Sequence, residues 1–263
     1  MSLNENDLGK EYLHCCHLKT IALNAGTLDL SKEKWFFPTC LLPLGIFIKE
    51  QKDLQVIYPN DPKISKYINI IMKGEMDSTK KSYIPLIEMP PNEKLREKLL
   101  EPFISNQNAH VGGQNAFSYI IGELTDNIYE HSKFSTAYVM AQRYKQLKFT
   151  EVGIIDNGIS IPGSYENKGL KFSDIEALKE AVQEGLSTKS DERGYGLRTS
   201  LKILTQGLEA DCFIVSRGAG LIMNKFNTLF YEIEKNNIFN GTLISTRIPY
   251  KPRNVNIYDF IEK

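Results

Sequence analysis

The residues best suited to chemistry are a carboxylate and a carboxamide that lie four positions apart, Glu123 and Asn127. On a helix this spacing places both side chains on one face. A carboxylate can orient or deprotonate a water, and an amide oxygen is a good ligand for Mg²⁺, which keeps several waters and bridges substrate phosphates. Taken alone, the pair also fits a solvated helix face, so its interpretation depends on the rest of the sequence.

A second candidate site begins at Asp156, which ends the apolar run 152–155; residues 156–161 read Asp-Asn-Gly-Ile-Ser-Ile. A carboxylate at the end of a strand can accept a hydrogen bond from an adenine amino group, and Gly158 would let the backbone approach a flat base. The same residues also fit an Asp-Asn-Gly hairpin turn. By itself the motif leaves both interpretations open.

Two further motifs contain glycine. Residues 193–197 read Arg-Gly-Tyr-Gly-Leu and open a predicted helix, where backbone amides and the helix N-terminus can cradle phosphates. Gly241 and Thr242 begin the predicted strand 243–248. The threonine hydroxyl there could hold a water or the base-reading aspartate, or the residue could be an ordinary β-branched strand residue.

The elements that must position these residues are predicted from hydrophobic periodicity and turn residues. The strongest helix, 114–131, has the apolar stripe Ile120, Leu124 and Ile128, which leaves Glu123 and Asn127 on a different face. Other helices are predicted at 39–50, 63–72, 92–104, 174–184 and 197–204. Strands are predicted at 20–30, 54–58, 83–87, 138–143 and 151–156, with several more within 212–249. This alternation predicts an α/β protein.

In their order and spacing the motifs resemble those of the GHKL superfamily of ATP-binding domains, which have the Bergerat fold. Residues 123–127 match its N box, 156–161 its first glycine box, 193–197 its second and 241–242 its last motif. The likeness covers about residues 92–250. It implies a two-layer α/β sandwich in which a mixed sheet is covered by helices.

The resemblance also implies a role for each matching residue, with ATP and Mg²⁺ as the ligands. Asn127 would ligate Mg²⁺, Glu123 is the candidate general base, and Asp156 would read adenine with Thr242 supporting the water network around the base. Residues 184–189 look like the ATP lid, whose basic residues could neutralise phosphate charge. The remaining implied nucleotide contacts are Gly158, Ile161, Lys189, Arg193, Gly194, Tyr195, Gly196 and Leu197.

Two residues depart from the family pattern. Ser160 stands where the family usually has glycine, and it carries a strain cost if the position needs a positive φ. Arg198 stands where many of the kinases have glycine, and it is either a phosphate contact or an exposed helix residue.

A domain boundary is predicted at Pro90 and Pro91, which separate a small α/β unit, residues 1–90, from the GHKL-like part, residues 91–263. In the first unit, residues 28–31 and 35–41 resemble the strand-loop-helix of STAS domains, the fold of anti-sigma-factor antagonists. In that family a serine or threonine of this loop can be phosphorylated by a GHKL-type kinase. The resemblance places Thr39 near that position, although Pro38 departs from the usual pattern; alternatively Thr39 is a helix N-cap.

The overall composition argues against several classes of partner. The 32 basic and 32 acidic side chains cancel without forming a charged block, so we expect neither nucleic acid nor an anionic membrane surface as a partner. No signal-peptide pattern occurs at the start, and the longest apolar run, 40–48, is too short to span a bilayer, so we expect a soluble cytoplasmic protein. The His-Cys-Cys-His cluster at 14–17 is interpreted as strand residues, because strand neighbours point to opposite faces and no second ligand pair follows.

These observations lead to two expectations about function. The first is an enzyme that hydrolyses ATP or transfers its γ-phosphate to a serine or threonine of another protein in a regulatory role. The second is a non-catalytic switch, in which ATP orders the lid and displays a binding surface, since one fold can serve several functions. Both imply a nucleotide ligand together with a regulatory protein partner or self-association.

Overall fold

Helices and strands alternate along most of the chain in the computed structural model, which describes residues 6–72, 83–107, 114–184, 196–250 and 254–260. The α-helices are α1 (Asp7–Ala25), α2 (Pro38–Glu50), α3 (Pro62–Met72), α4 (Arg96–Gln107), α5 (Gln114–Asn127), α6 (Ser160–Glu166), α7 (Asp174–Lys179) and α8 (Gly196–Lys202). The strands are β1 (Thr27–Asp29), β2 (Gln55–Ile57), β3 (Tyr83–Glu88), β4 (Ala137–Tyr144), β5 (Phe149–Asp156), β6 (Asp211–Arg217), β7 (Ala219–Met223), β8 (Thr228–Glu232) and β9 (Phe239–Pro249).

Seven of the strands form one sheet in the order β3-β4-β5-β9-β6-β7-β8. Every neighbouring pair in this sheet is antiparallel, so the mixed sheet expected from the sequence is wrong. The short strands β1 and β2 form a separate parallel pair. Strand β9 lies between β5 and β6, although β6 precedes it in the chain. This arrangement brings the start of β9 beside the end of β5.

Helices cover both faces of the large sheet, and side chains alternate between the two hydrophobic cores. On β4, Val139 belongs to the core under α4, α5, α7 and α8, whereas Met140 belongs to the core under α1 and α2. On β5, Ile154 and Ile155 divide in the same way. Successive strand residues point to opposite faces, so a sheet covered twice requires almost continuously apolar strands. The protein is therefore an α/β structure of three layers, with the sheet in the middle.

Three of the helices end in a single π-helical turn, a form often found at functional sites. These turns follow α5, α7 and α8 and span Ile128–Ser132, Glu180–Glu184 and Ile203–Gly207. The predicted helices at 114–131, 174–184 and 197–204 are thus confirmed to within about one turn at their ends.

The first helix is the largest error of the sequence-based prediction. Residues 20–25 were expected to begin a strand, but they form the last turns of α1, and the cluster at 14–17 also lies on this helix. The side chain of Asn6 caps its start by accepting bonds from the N–H groups of Leu8 and Gly9, and Gly26 ends it with φ 69°. Asparagine and glycine in these positions are the sequence signals that could have indicated the helix.

The chain before residue 91 contributes to the same cores as the chain after it. Strand β3 pairs with β4, and α2 packs on β4 and β5. Met89 belongs to the core under α5, and the Tyr129 hydroxyl donates to the Pro90 carbonyl oxygen over 2.7 Å. A domain boundary at residue 90 and a STAS-like unit before it stay predictions. None of the helices in the described parts of the chain has the length and apolar character that crossing a bilayer requires.

Candidate functional site

Helix α5 presents both residues of the predicted N box. Its apolar stripe, Ile120, Leu124 and Ile128, is buried against the sheet, and Glu123 and Asn127 are half-buried one turn apart on its flank. The Nδ2 atom of Asn127 is buried and has no hydrogen-bond partner among the described residues. Buried polar atoms almost always have a partner, so an unpaired amide here is a feature that calls for an explanation.

Asp156 ends β5 on the face that α5 covers, in line with Val152 and Ile154. Its side chain is only 3% exposed. Burial raises the pKa of Asp156 to about 7, while the Gly158 N–H, which donates to its carboxylate over 2.8 Å, acts in the opposite direction. The Ser132 hydroxyl also lowers this pKa but makes no hydrogen bond of normal geometry with a described residue. No basic side chain in the described part of the chain forms an ion pair with this carboxylate.

Thr242 lies directly opposite Asp156, because the two residues are register partners on β9 and β5. On the other side of β9 its register partner is Ser216 of β6, and the two hydroxyl oxygens are 2.9 Å apart. The Ser216 oxygen also accepts the Ile161 N–H over 2.9 Å. Asp156, Thr242 and Ser216 thus form a polar row across three strands, at one end of a largely apolar sheet face.

Ser216 is a site residue that the sequence interpretation missed. On β6 it continues the inward-facing series of Cys212 and Ile214, but it is polar and fully buried. A hydroxyl residue near the end of an apolar strand is a weak signal in a sequence. Only the pairing of β6 with β9 places it beside Thr242.

Gly158 fits the structure for a reason that differs from the predicted one. An ideal Cβ on this residue would lie 2.0 Å from the Ser132 carbonyl oxygen, and the neighbouring Ile159 N–H donates to the same oxygen over 2.7 Å. The missing side chain therefore lets residues 156–159 pack closely against the π-helical turn that follows α5. This contact joins the two predicted motifs.

The segment after Asp156 is not a hairpin. It leads through residues 157–159 into α6, so the alternative of an Asp-Asn-Gly hairpin turn is wrong. Ser160 has a positive φ of 70°. Serine therefore carries a strain cost at this position, where the GHKL superfamily usually has glycine. Its hydroxyl oxygen accepts the Gly163 N–H over 3.3 Å.

Asn157 also holds this segment, although the sequence interpretation gave it no role. Its Oδ1 accepts the N–H groups of Ser135 and Thr136 over 3.1 and 2.8 Å. Its Nδ2 donates to Glu50 Oε1 over 2.8 Å, which ties the end of β5 to the end of α2.

Helix α8 brings Gly196 against Glu123. An ideal Cβ on Gly196 would lie 2.3 Å from Glu123 Oε2, so the backbone of α8 borders this carboxylate, and a side chain at residue 196 would displace it. Leu197 packs on the core under α5, and Arg198 is half-buried. The remaining predicted nucleotide contacts fall outside the described residues: Lys189, Arg193, Gly194 and Tyr195.

Thr39, which the resemblance to STAS domains places near a phosphorylated position, is inaccessible in this fold. Thr39 is fully buried in the first turn of α2, and its hydroxyl donates to Glu151 Oε1 over 2.7 Å. It is not the N-cap either, because Phe37 occupies that position. The guanidinium group of Arg247 donates to the other oxygen of the same carboxylate over 2.8 Å.

A scan against protein-family models, a search of curated proteins and a search of solved structures found no match to the chain. Within the ranges that the structure describes, no group of three or more His, Cys, Asp and Glu side chains could hold a metal ion.

Proposed function

We propose that the chain binds Mg-ATP at the site formed by α5, β5, β9 and α8, with the Bergerat arrangement of the GHKL superfamily, and turns over the γ-phosphate. The observation that carries this proposal is a pair of incompletely satisfied buried groups, the Asp156 carboxylate and the Asn127 amide. Both groups adjoin the same π-helical turn, Ile128–Ser132. Buried groups of this kind are costly unless a ligand completes their hydrogen bonds.

The base end of the proposed site is Asp156 with Thr242. An ionised carboxylate offers about four lone-pair positions, and one N–H, from Gly158, uses only one of them. The exocyclic amino group of adenine is a donor of the kind that this carboxylate lacks. Thr242, held by Ser216, supplies a neighbouring hydroxyl that can both donate and accept.

The phosphate end is Asn127 with α8. The two ends of an amide exchange places by rotation about one bond, so Asn127 can present its oxygen where its nitrogen now lacks a partner. An amide oxygen suits Mg²⁺, so the residue fits the predicted ligand role. When bound, the ion would neutralise phosphate charge. Gly196 brings the backbone at the start of α8 beside Glu123.

Glu123 is the proposed general base. In hydrolysis, the oxygen of a water forms a bond to the γ-phosphorus, and the bond from that phosphorus to the β,γ-bridging oxygen breaks. ADP leaves with the electron pair of the broken bond, and Glu123 takes the proton of the attacking water. In transfer to a protein, a serine or threonine hydroxyl of a regulatory partner replaces the water.

The fold supports this assignment in its central part. A sheet whose one face carries α5 and α8, with Asp156 and Thr242 on neighbouring strands, is compatible with a Bergerat sandwich. The layer of α1 and α2 on the opposite face is an addition to the expected two layers. That layer encloses the sheet without contributing to the polar row of Asp156, Thr242 and Ser216.

One observation favours the alternative of a nucleotide-gated switch. Glu123 is already in contact with α8 through Gly196, so a ligand that engages Glu123 acts directly on the position of α8. A switch of this kind changes partner binding or self-association with no need for turnover.

The decisive experiment follows ATP labelled at the γ-phosphate, together with equilibrium binding of ADP, in the wild type and in two variants. We expect Asn127→Ala to weaken Mg-dependent binding and Asp156→Asn to weaken binding of the base, each by about tenfold or more. Asn227→Ala and Asp211→Asn, at exposed positions of the β6–β8 region, are the matched controls. Release of the labelled phosphate means hydrolysis. Tight binding with all of the label left on ATP favours the switch. Equal affinities in the wild type and both site variants would refute the site.

A further inference from the structure

Two consecutive residues of β6 hold the two ends of α6. At the start of α6, the Ile161 N–H donates to the Ser216 hydroxyl oxygen over 2.9 Å. At its end, the guanidinium group of Arg217 donates to both carboxylate oxygens of Glu166, from Nη1 over 2.9 Å and from Nη2 over 2.6 Å. Helix α6 follows closely on Asp156. The end of β6 therefore fixes the segment that leads away from the base end of the proposed site.

Arg217 also binds the first residue of α7. Its Nε donates to Asp174 Oδ1 over 2.8 Å, and the Gly218 N–H donates to Oδ2 of the same carboxylate over 2.8 Å. Partly exposed ion pairs contribute appreciably when an arginine binds in two places or when several charges form a network. Arg217, with its side chain 30% exposed, meets both conditions. Its ion pairs with Glu166 and Asp174, here called the Arg217 clamp, join α6, α7 and the turn between β6 and β7.

The backbone conformation of Arg217 is unfavourable for an arginine. Ser216 and Ala219 are register partners, so Arg217 and Gly218 form a two-residue hairpin turn. Arg217 is the first central residue of this turn and has φ 54°, a conformation for which such turns usually use glycine. A strained residue persists where its surroundings hold it in place, and such residues cluster at functional sites. Glycine would fit the turn better but has no side chain to form the clamp.

Ser216 connects the Arg217 clamp to the polar row. Its hydroxyl oxygen is fully buried and lies 2.9 Å from that of Thr242. The register of β6 and β9 is irregular between Ser216 and Arg217, so regular pairing with β9 stops at this end of β6. The clamp begins at the next residue and supplies the constraint that the strand pairing no longer provides. Without the clamp, Ser216 and the start of α6 can move relative to Thr242.

On the basis of the proposed function, we propose that Arg217 is a positioning residue for the base end of the nucleotide site. The Arg217 clamp holds α6 and the end of β6, so that the polar row keeps the spacing which a purine with an exocyclic amino group requires. The guanidinium group itself lies against the carboxylates of Glu166 and Asp174 and does not contact the base. Loss of the clamp therefore weakens recognition of the base and leaves the phosphate end unchanged.

The test is equilibrium binding of ADP and of inosine diphosphate, which has a carbonyl oxygen in place of the amino group of adenine, by the wild type and Arg217→Gly. Glycine suits the backbone of this turn, so the variant removes the clamp and relieves the strain at once. We expect the Kd for ADP to rise about fivefold and the Kd for inosine diphosphate to change by less than about twofold. The midpoint of chemical denaturation should stay close to that of the wild type, because relief of the strain offsets the lost ion pairs.

The matched control is Lys225→Met, which removes another partly exposed ion pair, the one to Glu209, from the opposite end of β7. It should leave both Kd values unchanged. Glu166→Gln removes only one charge of the Arg217 clamp and keeps the backbone of the turn. We expect it to weaken ADP binding in the same direction but less, and it provides the test if Arg217→Gly does not fold.

Two further measurements show whether Arg217 acts through Ser216. In a Ser216→Ala background, Arg217→Gly is expected to change the Kd for ADP by less than about twofold, as required for two residues that act as a unit. Hydrogen exchange of the Ile161 N–H needs no nucleotide. We expect this exchange to be about tenfold faster in Arg217→Gly than in the wild type, because the Ser216 oxygen that accepts the bond is no longer held in place.

The outcomes separate this inference from the proposed function. Equal losses of affinity for both diphosphates in Arg217→Gly would indicate a merely structural role and overturn the inference. An unchanged Kd for ADP, unchanged exchange of the Ile161 N–H, or an undiminished effect in the Ser216→Ala background also overturns it. In each of these cases ADP binding by the wild type keeps the proposed function. Failure of the wild type to bind ADP overturns the proposed function and the inference together.

Discussion

The backbone of Gly241 lies against that of Asp156, and an ideal Cβ on Gly241 would be 2.0 Å from the Asp156 carbonyl oxygen. Gly241 also has φ 144°, a conformation that side chains rarely permit. The irregular register between β6 and β9, at Ser216 and Arg217, lies beside it. The last glycine of the predicted motif set is therefore required by the way that β9 begins, next to the polar row of the site.

Gly241→Ala is expected to lower the free energy of unfolding by about 2–4 kcal/mol, because it adds a backbone clash to a strained φ. It should also weaken the proposed nucleotide binding, because it displaces Asp156. Gly169→Ala is the matched control, since Gly169 has φ 78° with open space around an added Cβ, and it should lose only about 1 kcal/mol. Chemical denaturation measures both values. Equal losses would mean that the contact with Asp156 contributes nothing.

Ser160→Gly is expected to raise the free energy of unfolding by about 0.5–1 kcal/mol. The serine is held at φ 70°, and glycine adopts this conformation without the steric cost. The bond that Ser160 accepts from Gly163 is long, at 3.3 Å, so its loss offsets little of the gain. Lys148→Gly, at φ 60° in an exposed turn, is the comparison for the backbone effect without that bond. A lower stability of Ser160→Gly than of the wild type would contradict this prediction.

The carboxyl group of Asp156 should make stability depend on pH. Burial raises the pKa of Asp156 from about 3.8 to about 7, so the folded protein keeps a proton that the unfolded chain releases in this interval. Relative to Asp156→Asn, the wild type should therefore lose about 4 kcal/mol of its free energy of unfolding between pH 4 and pH 7.

Parallel denaturation series for the two proteins test this difference. Other titrating groups are common to both and cancel. Asp211→Asn, an exposed substitution on β6, should follow the wild type across the same range. A constant difference between wild type and Asp156→Asn from pH 4 to pH 7 would show that this carboxyl group is not perturbed.

Arg247→Met is expected to cost about 3–5 kcal/mol of stability, since it leaves the buried Glu151 carboxylate without its cation. The guanidinium group of Arg247 also lies 4.7 Å from the ring centroids of both Phe37 and Phe149, between which a thioether can still pack. The double variant that combines Arg247→Met with Glu151→Gln should regain more than half of the lost free energy of unfolding. Its glutamine has no charge to leave unpaired, and the amide oxygen can still accept the Thr39 N–H. Additive losses in the double variant would argue against coupling between the two charges.

The sequence alone identified the elements whose pattern is local. The apolar stripe of Ile120, Leu124 and Ile128 specified α5 and the flank that carries Glu123 and Asn127. The end of an apolar run placed Asp156 at the end of a strand. These inferences held because helical and strand periodicity depend only on neighbouring residues.

The site itself depends on contacts that local patterns do not encode. Ser216 lies beside Thr242 only because β9 inserts between β5 and β6, and strands buried on both faces read as uniformly apolar, without any mark of their neighbours. The close approaches of Gly158 to Ser132 and of Gly196 to Glu123 arise where two elements distant in sequence meet.

The sequence by itself determined which residues can do chemistry and which helix or strand carries them. Only the tertiary structure decided that Thr39 is buried between α2 and the sheet, and that the backbone of Gly196 borders the Glu123 carboxylate. The physical reason is that a side chain's type sets what it can donate, accept or ionise. Its burial and partners are set by the packing of segments far apart in the chain.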